Sequence, residues 1–169
     1  MISIRPAVPS DAPALAAALV RNRESLRPFE PWRTERYYTA EGQAERLADG
    51  GRRWVAADGD TLVALATLSG IVLGPFRSAS LGYWVDAAYT GQGLATRLTE
   101  EVCRAAREEL GLHRVEASTL LDNHASQRVL AKTGFAHIGT APRYLHIDGE
   151  WRDHHLFQRI LHDDPPPRG

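Results

Sequence analysis

Two glycines set two residues apart, where a strand-like run gives way to the strongest helical pattern in the chain, are the clearest chemical feature of the sequence. The run Gly91-Gln92-Gly93-Leu94-Ala95-Thr96 is built of small residues that let a backbone approach a ligand closely. The first turn of the helix that follows offers N–H groups with no intrahelical partner. The positive end of the helix dipole favours an anion there, a pyrophosphate above all. A tight strand-to-helix turn would need the same glycines, so the loop alone leaves turn and anion site equally open. The kind of anion narrows further. No lysine stands in or near the loop, which removes a Walker A phosphate loop. Thr96 occupies the place where a dinucleotide fingerprint carries a third Gly or Ala, and the loop falls past the midpoint of the chain. Coenzyme A, whose pyrophosphate needs the same cradle, is the reading left.

The elements that must position this loop follow from periodicity. Ile2 to Arg5 reads as a first strand. Ser10 stands as an N-cap before a helix in which Leu15, Leu19 and Leu26 share a face. Pro28-Phe29-Glu30-Pro31-Trp32 interrupts that helix, and a shorter one over Ala40 to Ala48 ends at Gly50-Gly51. Trp54–Ala57 and Thr61–Leu68 flank Asp58-Gly59-Asp60 as a hairpin, and both alternating sets of the second arm are apolar, which predicts a strand covered on both faces. Leu81 to Val85 is the strand that leads into the glycine loop. In the helix beyond it Leu94, Leu98, Val102, Ala106 and Leu110 form one apolar stripe, and Glu100 precedes Arg104 by the four residues that suit a helical ion pair. His113–Leu120 reads as a strand, Asn123–Thr133 as a short helix closed by Gly134, and the rest as a hairpin turning near Asp148-Gly149, with Trp151–Leu161 as its second arm. The order is β-α-α-β-β-β-α-β-α-β-β.

At 169 residues, 43% hydrophobic and 24% charged, the chain fits one domain over residues 1–162, followed by a proline-stiffened tail, 163–169, expected to be disordered. Twenty basic residues against 21 acidic give a formal charge of −1, which speaks against direct nucleic-acid binding. Cys103 is the only cysteine, so an internal disulfide and an all-cysteine metal site are excluded. It falls one residue from the apolar stripe and reads as packing. The seven histidines lack metal-ligand spacing, and His154 and His155, as strand neighbours, point to opposite faces; no metal is expected. The start of the chain carries no signal-like apolar stretch, and the run Val63–Leu68 is far short of a membrane span. The expectation is a soluble cytoplasmic protein, monomer or homodimer.

Beyond the glycine loop, Tyr83-Trp84-Val85, Thr90 to Ala95 and the helix that follows resemble the acetyl-CoA-binding core of the GNAT N-acetyltransferases. Leu112 to Ala117, Asp122-Asn123-His124-Ala125-Ser126, Leu130, Gly134 and Phe135 resemble the ribosomal-protein N-acetyltransferase branch. Asn22-Arg23 through Trp32, and Tyr144 through His154, are similar to the RimJ type, which acetylates an alanine N-terminus of a ribosomal protein. The resemblance spans nearly the whole chain except the tail. It implies the α+β acyl-CoA N-acyltransferase fold: a mixed, mostly antiparallel, seven-stranded splayed sheet flanked by about four helices. It also implies acetyl-CoA wedged between the Tyr83–Val85 and His113–Leu120 strands. The backbone of Tyr83, Trp84 and Val85 would then meet the pantetheine arm. Thr90, Gly91, Gln92, Gly93, Leu94, Ala95 and Thr96 would hold the pyrophosphate, and Asn123 and Ser126 would sit near the thioester and its sulfur.

Acetyl transfer to an amine requires loss of an amine proton, stabilisation of an oxyanion and accommodation of a departing thiolate. An α-amino group titrates near about 7.7–8.0, so it needs no strong base. The Val85 N–H is the candidate oxyanion donor. Ser126 could donate to the thiolate, or serve only in the capping of the last helix, where Asn123 is the expected cap. Some relatives place a Glu before the last hairpin where this chain has Leu145, and Thr90 replaces a common Gln or Arg at the head of the loop. Glu116, Glu30 and Tyr144 are the substitute candidates for the base, with a water relay as the alternative. Phe29, Trp32, Tyr37 and Tyr38 could roof the acceptor groove, with Glu30 and Tyr144 beside them, or could pack on the first helix. The acceptor is then a protein N-terminus, ribosomal and beginning Ala or Ser. The rival readings are a small-molecule amine, or a non-catalytic CoA-binding protein of ribosome assembly or regulation.

Overall fold

A computed structural model describes residues 1–168; Gly169, the end of the expected tail, lies outside the described residues. Among the described residues one sheet holds seven strands in the order β1-β2-β3-β4-β5-β7-β6. The strands are β1 (Ile2–Pro6), β2 (Arg52–Asp58), β3 (Thr61–Val72), β4 (Ser78–Val85), β5 (Arg114–Leu120), β6 (Ala136–Ile147) and β7 (Glu150–Ile160). Neighbours are antiparallel except β4 and β5. The parallel pair is joined through the long helix α4 (Leu94–Glu108), and α5 (His124–Lys132) carries the chain from β5 across β7 to β6.

Helices α1 (Ala12–Arg21), α2 (Arg23–Leu26) and α3 (Ala40–Leu47) complete the set. That makes five helices among the described residues where about four were expected, because a single turn, α2, follows the bend at Asn22. Ser10 is not the cap of α1. Pro9 to Asp11 forms a 3₁₀ turn instead, in which the Asp11 carboxylate accepts from the Val8 N–H at 2.8 Å and pairs with Arg5 at 2.8 Å. The expected strand at Leu81 begins three residues earlier, at Ser78.

The apolar patterns bury as their periods require. Leu94, Leu98, Val102 and Ala106 of α4 are buried against β3, β4 and β5, with Leu130 of α5 and Phe157 of β7 in the same cluster. Leu15, Ala18 and Leu19 of α1 cover the opposite face over Val55, Leu65 and Trp84. Leu62 to Ala66 of β3 are buried throughout, so both faces are covered as the doubly apolar pattern predicts. The Glu100–Arg104 pair does not form. Arg159 of β7 takes Glu100 at 3.2 Å, and Arg104 turns to Glu101 at 2.6 Å and Glu108 at 2.8 Å. Cys103 is buried, and that burial pushes its thiol up to about 11, so it packs as expected and is no nucleophile.

Candidate functional site

β4 and β5 are hydrogen-bonded only where Ser78, Ala79 and Ser80 face Arg114, Val115 and Glu116. Beyond that point β4 stays with β3 as far as Val85, and β5 stays with β7 as far as Leu120. Each strand follows its own half of the sheet, and a fork opens between Leu81–Val85 and Ala117–Leu120. The Asp86 N–H donates to the Val63 carbonyl at 2.8 Å, on the β3 side. Strand alternation therefore turns the N–H groups of Val85 and Tyr83 into the fork.

The glycine loop lies just past the open end of β4. A 3₁₀ turn, Ala87–Tyr89, leads into it and is pinned by the Asp86 carboxylate, which accepts from the Ala88 N–H at 2.9 Å. The Tyr89 hydroxyl donates to Asp58 at 2.7 Å, and the Thr90 hydroxyl to the Ala87 carbonyl at 3.1 Å. Gly91 and Gly93 hold φ of 75° and 74°, and Gly93 is the N-cap of α4 with no side-chain bond to the first turn. A Cβ at either glycine would meet nothing within 4 Å. The requirement is torsional, and it leaves the amides of the first turn unmasked beside open space. That arrangement suits a pyrophosphate. Gln92 is exposed, and Leu94 is buried and anchors the loop to the core.

Across the fork, Asn123 caps α5 by accepting from the Ser126 N–H at 3.2 Å. The Ser126 hydroxyl does not cap. It lies 2.7 Å from the hydroxyl of Tyr83, so the pair bridges β4 and α5. The Tyr83 side chain is a contribution that sequence reasoning missed, since only its backbone had a role there. Burial pushes its phenol pKa up, offset in part by the bond to Ser126.

At the closed end of the fork a small cavity of about 70 Å³ is lined by Ser80, Leu81, Glu116, Ser118, Tyr144 and Leu156. Two of the candidate bases therefore meet there. Glu116 accepts from Ser80 Oγ at 3.0 Å and pairs with Arg114 at 3.1 Å, while Tyr144 is exposed and belongs to no core cluster. His154, buried, lies beside Tyr144 with ring centroids 5.7 Å apart and the ring planes tilted by 56°. Its Nδ1 donates to the Arg152 carbonyl at 2.9 Å. Register places it on the same face as Glu116 and Ser118, while His155 points to the other face and meets Thr140. Nothing in the sequence set His154 apart from His155.

Glu30 is elsewhere. It pairs with Arg33 at 2.9 Å and lines a second cavity of about 380 Å³, with Arg23, Trp32, Tyr37, Tyr38 and Asp148 also in its wall. The four aromatics divide: Tyr37 and Tyr38 pack on the α1 cluster, whereas Phe29 and Trp32 are exposed. Trp32 rests against the β6–β7 turn, edge-on to His146 at 5.3 Å, and a Cβ on Gly149 would come within 3.2 Å of its ring. The Asp148 N–H donates to the Glu30 carbonyl at 2.9 Å, which joins the aromatic loop to that turn. One further node was invisible in sequence. The buried Asp86 accepts from Arg21 at 2.8 Å and from Asn22 at 3.0 Å, and Asn22 in turn accepts from the Ala87 N–H at 2.9 Å. Burial alone would raise the Asp86 carboxyl, but these bonds outweigh it and hold the group below the usual carboxylate range. Among the described residues no group of three or more His, Cys, Asp or Glu side chains is arranged to hold a metal ion, and no helix is long and apolar enough to cross a membrane.

A seven-stranded sheet split between its parallel strands, with a glycine loop and an uncapped helix at the mouth of the split, defines an acetyltransferase fold of the GNAT kind. The family model of the acetyltransferase (GNAT) domain matches residues 2–136, and the chain belongs to that family. The Bacillus subtilis protein named "Probable N-acetyltransferase YjcK" is 33% identical over 174 residues, covering 96% of each chain. The crystal structure of a ribosomal-protein-S5-alanine acetyltransferase from Vibrio fischeri is 32% identical, covers 98% of this chain and 96% of its own, and superposes with a TM-score of 0.92. Mycobacterium smegmatis RimJ, in complex with CoA-disulfide, is 28% identical over 94% of this chain and 81% of its own, with a TM-score of 0.86.

Proposed function

We propose that the chain transfers the acetyl group of acetyl-CoA to the α-amino group of a protein N-terminus. The acceptor is a ribosomal protein beginning with Ala or Ser, and the setting is the cytoplasm. The fork carries this reading: two backbone N–H groups, from Val85 and Tyr83, face an opening that ends on Glu116 and Tyr144. Support for the cofactor comes from the unmasked amides of Gly91 to Thr96 and from the CoA-disulfide complex of the RimJ relative. Support for the acceptor comes from the Vibrio fischeri relative, named for a ribosomal-protein alanine.

The thioester supplies an acyl carbon whose bond to sulfur breaks as the amine nitrogen attacks. The chain's own residues do the rest. Backbone amides of Gly91 to Thr96 and the Tyr83–Val85 edge bind and align the cosubstrate, with Asn123 at the α5 end. The Val85 N–H faces the developing oxyanion. Ser126 donates its hydroxyl hydrogen toward the departing sulfur. Glu116, already an acceptor for Ser80 and Arg114, takes the amine proton directly or through water, and an α-amino group needs no stronger base. Phe29, Glu30, Trp32 and Tyr144 flank the acceptor chain.

The test is a mass-spectrometric assay with acetyl-CoA and short peptides beginning Ala, Ser, Met or Pro, together with an N-blocked lysine peptide. One added acetyl on the Ala or Ser peptides and none on the lysine peptide is the expected result. Binding of acetyl-CoA without product on any peptide would sink the protein-acceptor reading in favour of a small amine or a non-catalytic role.

A further inference from the structure

The bond between Tyr83 and Ser126 joins two elements whose sequence positions are 43 apart, and it does so across the fork. Neither hydroxyl is needed to hold the backbone in place: β4 is carried by β3, and the first turn of α5 is capped by Asn123. The Tyr83 ring already packs against the α4 core cluster without its oxygen. A 2.7 Å contact between two hydroxyls at this point therefore calls for a purpose other than folding.

We propose that Tyr83 is a positioning residue, whose hydroxyl donates to Ser126 Oγ and so leaves the serine hydrogen free to face the departing sulfur. The inference rests on the role given to Ser126 above. A serine hydroxyl carries one hydrogen and rotates freely. Without a donor behind it, that hydrogen can turn to a nearby backbone carbonyl and is lost to the reaction. With the Tyr83 O–H seated on Oγ, the serine becomes the outer member of a two-hydroxyl chain, and each bond polarises the next. The Tyr83 hydroxyl, 2.7 Å from Ser126 Oγ and a longer 3.4 Å from the Ser126 carbonyl, has its better acceptor in Oγ, and burial, which pushes the phenol up, lets it keep the hydrogen it donates. No proton leaves the tyrosine. The amine surrenders one proton as the C–N bond forms and the C–S bond breaks. The thiolate, steadied by the Ser126 hydrogen bond, recovers one from solvent, and the balance closes.

The experiment is a double-mutant cycle with steady-state kinetics, using acetyl-CoA and an acetylatable peptide or amine. Ser126→Ala is expected to lower kcat by about 100-fold and Tyr83→Phe by about 10-fold. The KM for acetyl-CoA should stay within about twofold in both, because a change confined to positioning leaves ground-state binding alone. In the double variant the tyrosine change should add nothing to the serine loss. A full loss at Ser126→Ala with an unaffected Tyr83→Phe overturns this inference alone, as do losses that multiply. A raised KM for acetyl-CoA in Tyr83→Phe assigns the hydroxyl to binding and overturns it too. If Ser126→Ala is itself unaffected, the role given to the serine has failed, and the inference falls with it.

Discussion

The β4 rim of the fork and the separate aromatic loop over residues 27–38, the proposed acceptor rim, are built in different ways. The rim that faces the proposed cosubstrate is backbone: the Val85 and Tyr83 amides, the torsions of Gly91 and Gly93, and a helix whose apolar stripe is buried. The rim that faces the proposed acceptor is side chain. Its loop over residues 27–38 is held by Arg33–Glu30, Arg23–Glu35 at 2.7 Å, the Arg36–Glu45 pair, the cation–π contacts of Arg23 on Tyr38 and Arg33 on Tyr37, and the exposed Trp32. Surface ion pairs contribute little each and hold their geometry loosely. One rim is therefore made of backbone and buried apolar groups, which suits the part of the proposed cosubstrate that does not vary with the acceptor. On the other, the exposed Phe29 and Trp32 can be altered without touching the core, which suits the proposed choice of amine.

Substitutions should separate the rims. The largest effect, about 100-fold in kcat, is expected from Ser126→Ala, where the chemistry itself is struck; rapid-quench or steady-state rates would show it. Gly93→Val forces a β-branched residue to φ near 74°. It should raise the KM for acetyl-CoA about tenfold while the peptide KM stays put. Asp86→Ala tests the joint between the rims, because it strands Arg21, Asn22 and the Ala88 N–H together. A stability loss of about 2–3 kcal/mol in urea, with both KM values raised, is the expected signature; a change in only one KM would refute the joint. Trp32→Ala should raise only the peptide KM, by about three- to tenfold, since the ring is exposed and carries no core.

The smallest effect is acidic. The Arg53 guanidinium holds the Asp49 carboxyl at about 2, below its unfolded value, so its contribution to stability is present above about pH 4 and lost as the pH falls toward 2. Asp49→Asn should flatten the acid limb of a Tm-against-pH curve by well under about 1 kcal/mol, because the carboxylate is nearly half exposed.

What the sequence revealed divides along the same line. The glycine loop, the α4 stripe, the doubly apolar β3 and the turn at Asp148-Gly149 are local patterns, and local patterns can be read from neighbours in the chain. Partners distant in sequence could not be seen. Tyr83 meets Ser126, Arg21 meets Asp86, and Arg159 takes Glu100 from Arg104, because the sheet brings residues 43, 65 and 59 positions apart into contact. Ser10 misled for a different, local reason: Asp11, one residue on, binds Arg5 and the Val8 N–H and sets the helix start there. Glu116, Glu30 and Tyr144 stood in the sequence as three equal candidates. Glu116 and Tyr144 line one cavity and Glu30 another, and the irregular β6–β7 register beside Tyr144 is not something a spacing rule encodes.

Gly91 and Gly93 hold their torsions with nothing packed where a side chain would stand, while Gln92 between them projects into solvent. The information in this stretch is stored as angles and not as chemical groups. A codon change at Gln92 is close to silent, and one at either flanking glycine is not. The proposed receptor is thus expected to tolerate a rewritten middle letter as long as the two flanking angles are kept.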